Sequence, residues 1–218
     1  MDIDKIKDDI LLATLPNVVF DGWSHQALRE GTRAAGYDAS MALRAFPGGI
    51  SELVEHFSNW ADREMLEELD KHDMAALKVR ERITLAVRTR LEVLGAHQEA
   101  VQRALAYLAL PQNAGLAARL LYRTIDAMWY AAGDTATDFN YYTKRGLLSG
   151  VYGATTLYWL NDRSESHRDT WAFLDRRIGD VMRIGRTAGT VASLGGLLDH
   201  LPSPFRLARQ LRRRAAGY

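Results

Sequence analysis

Residues 24–60 read SHQALREGTRAAGYDASMALRAFPGGISELVEHFSNW, a run of helix starts and stops. The spacing predicts a helix over about His25–Ala35 that stops at Gly36. A second, over about Asp38–Phe46, stops at Pro47-Gly48-Gly49. A longer helix starts behind Ser51 as its N-cap, because Leu53, Phe57, Trp60 and Ala61 recur at helical spacing. Two short helices around a glycine turn, then a long one, make a trihelical head of about forty residues.

The rest of the chain reads the same way. Ile83, Val87, Leu91 and Leu94 form a stripe that Gly95 closes, and Val101, Leu105 and Leu108 form another that ends at Pro111. Leu120, Thr124, Met128 and Ala131 lie on a helix closed by Gly133. A helix from about Phe139 to Leu160 follows. Ser166, three residues before Asp169, then opens one that carries Trp171, Leu174, Ile178 and Met182. No segment alternates between hairpin turns, so the chain is expected to be all-α. Leu201-Pro202-Ser203-Pro204 isolates a short final helix. The expected divisions are a helix-turn-helix-like region over 1–70, a helical body over 71–200 and a basic amphipathic tail over 201–218.

The head resembles the helix-turn-helix of the TetR family of regulators, which implies a TetR-like helical bundle. DNA binding needs cations against phosphate. Residues 24–60 offer Arg29, Arg33 and Arg44 against Glu30, Asp38, Glu52 and Glu55. Met41, Ala42, Leu43 and Ala45 give a recognition helix little with which to read base edges. The unit is expected to serve packing, with no nucleic acid as partner. A ligand-responsive TetR-type transcription regulator is the alternative reading.

Composition narrows the chemistry. The chain has 218 residues, 28 Lys+Arg against 27 Asp+Glu, and no cysteine. Disulfide scaffolds, zinc ribbons, iron–sulfur sites and thiol catalysis are excluded. Residues 1–80 are acidic and the remainder basic. The acidic start, Met1 to Asp9, reads as neither a signal peptide nor a mitochondrial presequence. No stretch approaches the roughly 18 apolar residues of a membrane span. The six histidines show no metal-ligand spacing, and Glu64, Glu67 and Glu68 read as a solvated helix face between Arg63 and Lys71. Phosphate-loop, dinucleotide and nucleophile-elbow patterns are missing. No catalytic residue, metal site or cofactor is expected.

The most distinctive stretch runs from Ala132 to Arg145, AGDTATDFNYYTKR. It places Thr137 or Asp138 as a helix cap and then presents Tyr141, Tyr142, Lys144 and Arg145. Tyrosine and arginine are enriched at interface hot spots, though either tyrosine could equally pack in the core. Together with Gly150-Val151-Tyr152 and with DTWAFLDRRI over 169–178, this stretch resembles the signature of the COQ9 family, over about Arg80 to Arg186.

That resemblance implies a non-catalytic, homodimeric accessory protein of ubiquinone biosynthesis. It binds an isoprenoid lipid or quinone intermediate, contacts phospholipid as a peripheral membrane protein, and partners the di-iron demethoxyubiquinone hydroxylase of the COQ7 type. The partner patch it implies comprises Leu91, Asp126, Met128, Asp138, Tyr141, Tyr142 and Arg145. At Tyr141 the family is expected to carry Trp. Leu147, Leu148, Val151, Tyr152, Ile178 and Met182 are candidates to line the lipid slot, with plain core or dimer interface as the other reading. Gly146, Gly150 and Gly153 form a strip that admits a close neighbour. In the tail, Phe205, Arg206, Leu207, Arg209, Leu211, Arg212 and Arg213 are the expected membrane contacts, since a basic amphipathic helix suits an anionic interface. Without a presequence, the expected location is a bacterial cytoplasm, peripheral on the inner membrane.

Overall fold

The computed structural model describes residues 2–134, 139–181 and 183, and all regular structure among them is helical. The chain divides into two compact units, Met1–Ile178 and Gly179–Tyr218. None of the described helices is long and apolar enough to cross a membrane.

The first unit opens with a helix that the sequence pattern did not announce, α1 (Ile3–Asp21). Asp2 caps it by accepting from the Asp4 amide at 3.1 Å. Pro16 and the scattered acids blur its periodicity. Even so, Ile6, Ile10, Leu11, Leu15 and Val18 are all buried on one face. The next helix, α2 (His25–Ala34), starts behind Ser24, whose hydroxyl accepts from the Ala27 amide. It crosses α1 at Gly31. A Cβ there would lie 2.0 Å from Thr14 Oγ1 and 2.6 Å from Thr14 Cα, so the crossing admits only glycine.

The third helix of the head, α3 (Met41–Ala45), is shorter than the predicted Asp38–Phe46. Asp38 instead accepts from the Ser40 amide and holds a turn. The long helix α4 (Gly49–Leu69) begins two residues before the expected start at Ser51. Glu52 reaches back to the Gly48 amide at 2.8 Å, which leaves the Ser51 hydroxyl to pair with Tyr107 Oη at 2.7 Å.

The body adds α5 (Val79–Val93), α6 (Gln98–Leu108), α7 (Ala114–Ala131), α8 (Phe139–Asn161) and α9, residues 168–178. α4 packs on α5 and α7, and α7 packs on α8. Trp23 locks the head to the body: its indole N–H donates to the Ala100 carbonyl at 3.0 Å, and its ring sits 5.2 Å from that of Phe57. Gly133, at φ 79°, ends α7 as predicted.

The start of α9 corrects the assignment of Ser166 as its cap. Ser166 has φ 53°, outside the extended region a cap adopts. Asp162 does that work instead, accepting from the Thr170 amide at 2.9 Å and the Thr170 hydroxyl at 2.6 Å. In the second unit, residues 179–181 and 183 are helical. The expected amphipathic tail, with all seven of its membrane contacts, lies outside the described residues.

Candidate functional site

Small residues on the helices of the body leave space between them. Ala61 of α4, Ala104 of α6, Ala117 of α7 and Gly153 of α8 all face a cavity of about 620 Å³. Val54 and Phe57 form one wall, Val101 and Leu105 a second, and Leu120 a third. Leu121 and Leu157 also line it and are 36% and 59% exposed, so the cavity is open to solvent on their side. Its size is that of a site for a drug-sized molecule, and its walls are those of an apolar one.

One end is polar. Arg90 of α5 lines the cavity yet is only 5% exposed. Its Nε–H donates to Asp62 Oδ1 at 2.7 Å and its Nη2 group to Ser58 Oγ at 3.2 Å. The Nη1 group donates to the Tyr152 hydroxyl, and the guanidinium lies 5.4 Å from the centre of that ring. Thr124 donates its hydroxyl proton to Asp62 at 3.0 Å. Burial works against the charge on Arg90, but the Tyr152 oxygen and the Asp62 carboxylate outweigh it, and its pKa is raised. The result is a compensated ion pair with one tyrosine hydroxyl at the edge of a greasy chamber. Such an arrangement can hold and orient a molecule. Among the described residues, no three side chains of His, Asp or Glu are grouped to hold a metal ion.

Of the candidate lipid residues, Tyr152 lines this cavity. Leu148, Val151 and Ile178 are buried elsewhere in the core, Leu147 is half-buried, and the side chain of Met182 lies outside the described residues. At Gly146, Gly150 and Gly153 a Cβ would meet nothing within 4 Å. Within that distance no neighbouring helix of the described chain meets the glycine strip, and of the three glycines Gly153 lines the cavity.

The candidate partner residues separate by exposure. Leu91 and Met128 are fully buried, whereas Tyr142 is 71% exposed. Arg145 is buried and donates from Nε and Nη2 to Asp126 Oδ1 at 2.8 and 2.7 Å, with Asp134 3.5 Å from Nη1. Asp138 and the side chain of Tyr141 lie outside the described residues.

Sequence reasoning missed Arg90, Asp62, Ser58 and Thr124 as one group. The signal was a charge inside an apolar stripe. Arg90 falls between Val87 and Leu94 at helical spacing, and Asp62 falls three residues before the buried Met65. Charged residues at such positions are seldom buried unless paired.

Residues 114–185 match the COQ9 family model. The chain is 38% identical to the mitochondrial ubiquinone biosynthesis protein COQ9 of Rattus norvegicus over 202 residues, 89% of this chain and 64% of that protein. For the human protein the figures are 35%, 89% and 63%. For COQ9-B of Xenopus laevis they are 36% over 199 residues, 88% and 68%. The chain thus spans a little under two thirds of the length of the rat and human relatives. Among solved structures, a TetR transcriptional regulator from Nitrosomonas europaea ATCC 19718 matches with a TM-score of 0.67 at 21% identity, covering 82% of this chain and 98% of that one. A TetR-family regulator from Streptomyces coelicolor matches at 0.58 and 14%, covering 99% and 100%. At these identities the likeness concerns the fold, which is all-α and TetR-like. The relatives are mitochondrial proteins, which overturns the expected bacterial location on the inner membrane. That expectation rested on the residues before the head, and the relatives extend beyond the matched region, so the first residue is no guide to a leader.

Proposed function

The chain belongs to the COQ9 family, and on that premise we propose that it serves ubiquinone biosynthesis as a non-catalytic lipid-binding accessory protein. It takes up an isoprenoid quinone intermediate at a membrane surface and presents it to a di-iron demethoxyubiquinone hydroxylase. The observation that carries this reading is the apolar cavity, open at Leu121 and Leu157 and closed by the Arg90–Asp62 pair. A polyprenyl chain loses about 0.8 kcal/mol of stabilisation for each CH₂ left in water. An apolar chamber that receives the ring and the first part of the chain lowers the cost of lifting the molecule from the bilayer. The basic tail over 201–218 holds the protein, as a homodimer, at the membrane surface. Exposed Tyr142, next to the Arg145–Asp126 pair, docks the hydroxylase, and the oxidative chemistry belongs to that partner.

The quinone profile of cells that lack the gene tests this. Demethoxyubiquinone accumulates, and wild type restores ubiquinone whereas Tyr142→Lys does not. An unchanged ubiquinone pool in the deletion contradicts the assignment, and full rescue by Tyr142→Lys contradicts the docking surface.

A further inference from the structure

We propose that the Arg90–Asp62–Tyr152 end of the cavity selects an uncharged amphiphile whose head carries a hydrogen-bond acceptor oxygen, and that it discriminates against a fatty-acid carboxylate. The inference rests on the reading of the cavity as a lipid site and adds the residues that select the head group and the class of amphiphile they exclude.

Charge is the first ground. A lone arginine at the end of an apolar chamber would favour a carboxylate. Here Asp62, at 2.7 Å, already balances Arg90, and both side chains are almost withdrawn from solvent. A second anion would enter with no cation to match it, and burying an unmatched charge is costly. A cationic head fares no better, because Thr124 and Arg90 both direct their protons at Asp62.

The inventory of donors and acceptors is the second ground. The guanidinium points at Asp62, Tyr152 and Ser58. The Thr124 hydroxyl donates to Asp62, and the Thr156 hydroxyl donates to the Tyr152 carbonyl at 2.9 Å. The Tyr152 oxygen accepts from Arg90, so its own O–H is directed elsewhere. A hydroxyl whose oxygen is bonded to a cation is a strengthened donor. Beside it, Gly153 leaves the wall open: a Cβ there would meet nothing within 4 Å. A quinone or ester carbonyl oxygen fits this donor, whereas a hydrocarbon leaves it without a partner in the cavity.

Binding of 2-decyl-1,4-benzoquinone, myristate and tetradecane at pH 7.4 tests the inference, by equilibrium dialysis of the wild-type protein and of Tyr152→Phe. The quinone is expected to bind at least about tenfold more tightly than myristate, and Tyr152→Phe to weaken the quinone about tenfold while leaving tetradecane unchanged. Myristate that matches the quinone on the wild-type protein overturns the inference, and that comparison needs no variant. So does a folded Tyr152→Phe that holds the quinone as wild type does. Failure of all three probes to bind the wild-type protein removes the lipid-site reading itself, a result distinct from either of these.

Discussion

Arg90 donates its Nε proton to Asp62 at 2.7 Å across the α4–α5 interface, with the two side chains only 6% and 12% exposed. Each is therefore the buried counter-charge of the other. Removing one partner strands a buried charge, which typically costs about 3–5 kcal/mol, whereas replacing both by apolar residues costs much less. Asp62→Ala is expected to lower the unfolding free energy by that amount, and the double variant Asp62→Leu/Arg90→Met by clearly less. Urea unfolding of the two variants and wild type measures this. A double variant as unstable as Asp62→Ala, or more so, would contradict the stranding of a buried charge.

The crossing of α1 and α2 makes the second prediction. Gly31→Ala brings a methyl group against the Thr14 backbone, and overpacking of this kind costs about 1–3 kcal/mol. Gly150→Ala, in open space on α8, is the control. It is expected to be neutral or to stabilise by up to about 1 kcal/mol, as alanine does in a helix interior. In thermal melting, Gly31→Ala should melt below wild type and Gly150→Ala at or above it, and equal melting temperatures would contradict the crossing.

The third concerns acid. Burial lowers the pKa of His56, although the Asp8 carboxylate pulls it upward and Arg63 and Lys7 add to the lowering. Burial alone lowers that of His97. The unfolded chain therefore takes up protons first as pH falls below about 6.5. The stability these neutral imidazoles contribute is complete above that value and is lost towards the folded pKa. The protein is expected to melt at a lower temperature at pH 5.5 than at pH 7.5, and His97→Gln to reduce the difference. A pH-independent melting temperature over that range would contradict the account.

Much of the fold was legible from residues 24–60 and from the helix predicted over Phe139–Leu160, observed as Phe139–Asn161. Glycines at Gly36 and Gly133 and an apolar period on α8 carry strong local signals. α1 escaped notice because Pro16 and the early acids hide a stripe that becomes apparent only when α2 lies across it. The site was less legible. Tyr152 came from a motif, but the cavity walls are alanines and leucines on α4, α6 and α7 that resemble any core. Space between helices is a property of their crossing, not of one helix's period. Arg90 was the accessible clue, a charge on an apolar stripe.

If the chamber between α4 and α8 is the lipid site, filling it from the wall with Gly153→Leu expels the ligand. The new side chain starts in open space at the cavity wall and replaces a glycine inside a helix, where leucine is favoured by roughly 0.5–1 kcal/mol. The variant is expected to melt at or above the wild-type temperature and to lose at least about tenfold in affinity for 2-decyl-1,4-benzoquinone. A folded Gly153→Leu that binds the quinone as tightly as wild type would contradict it.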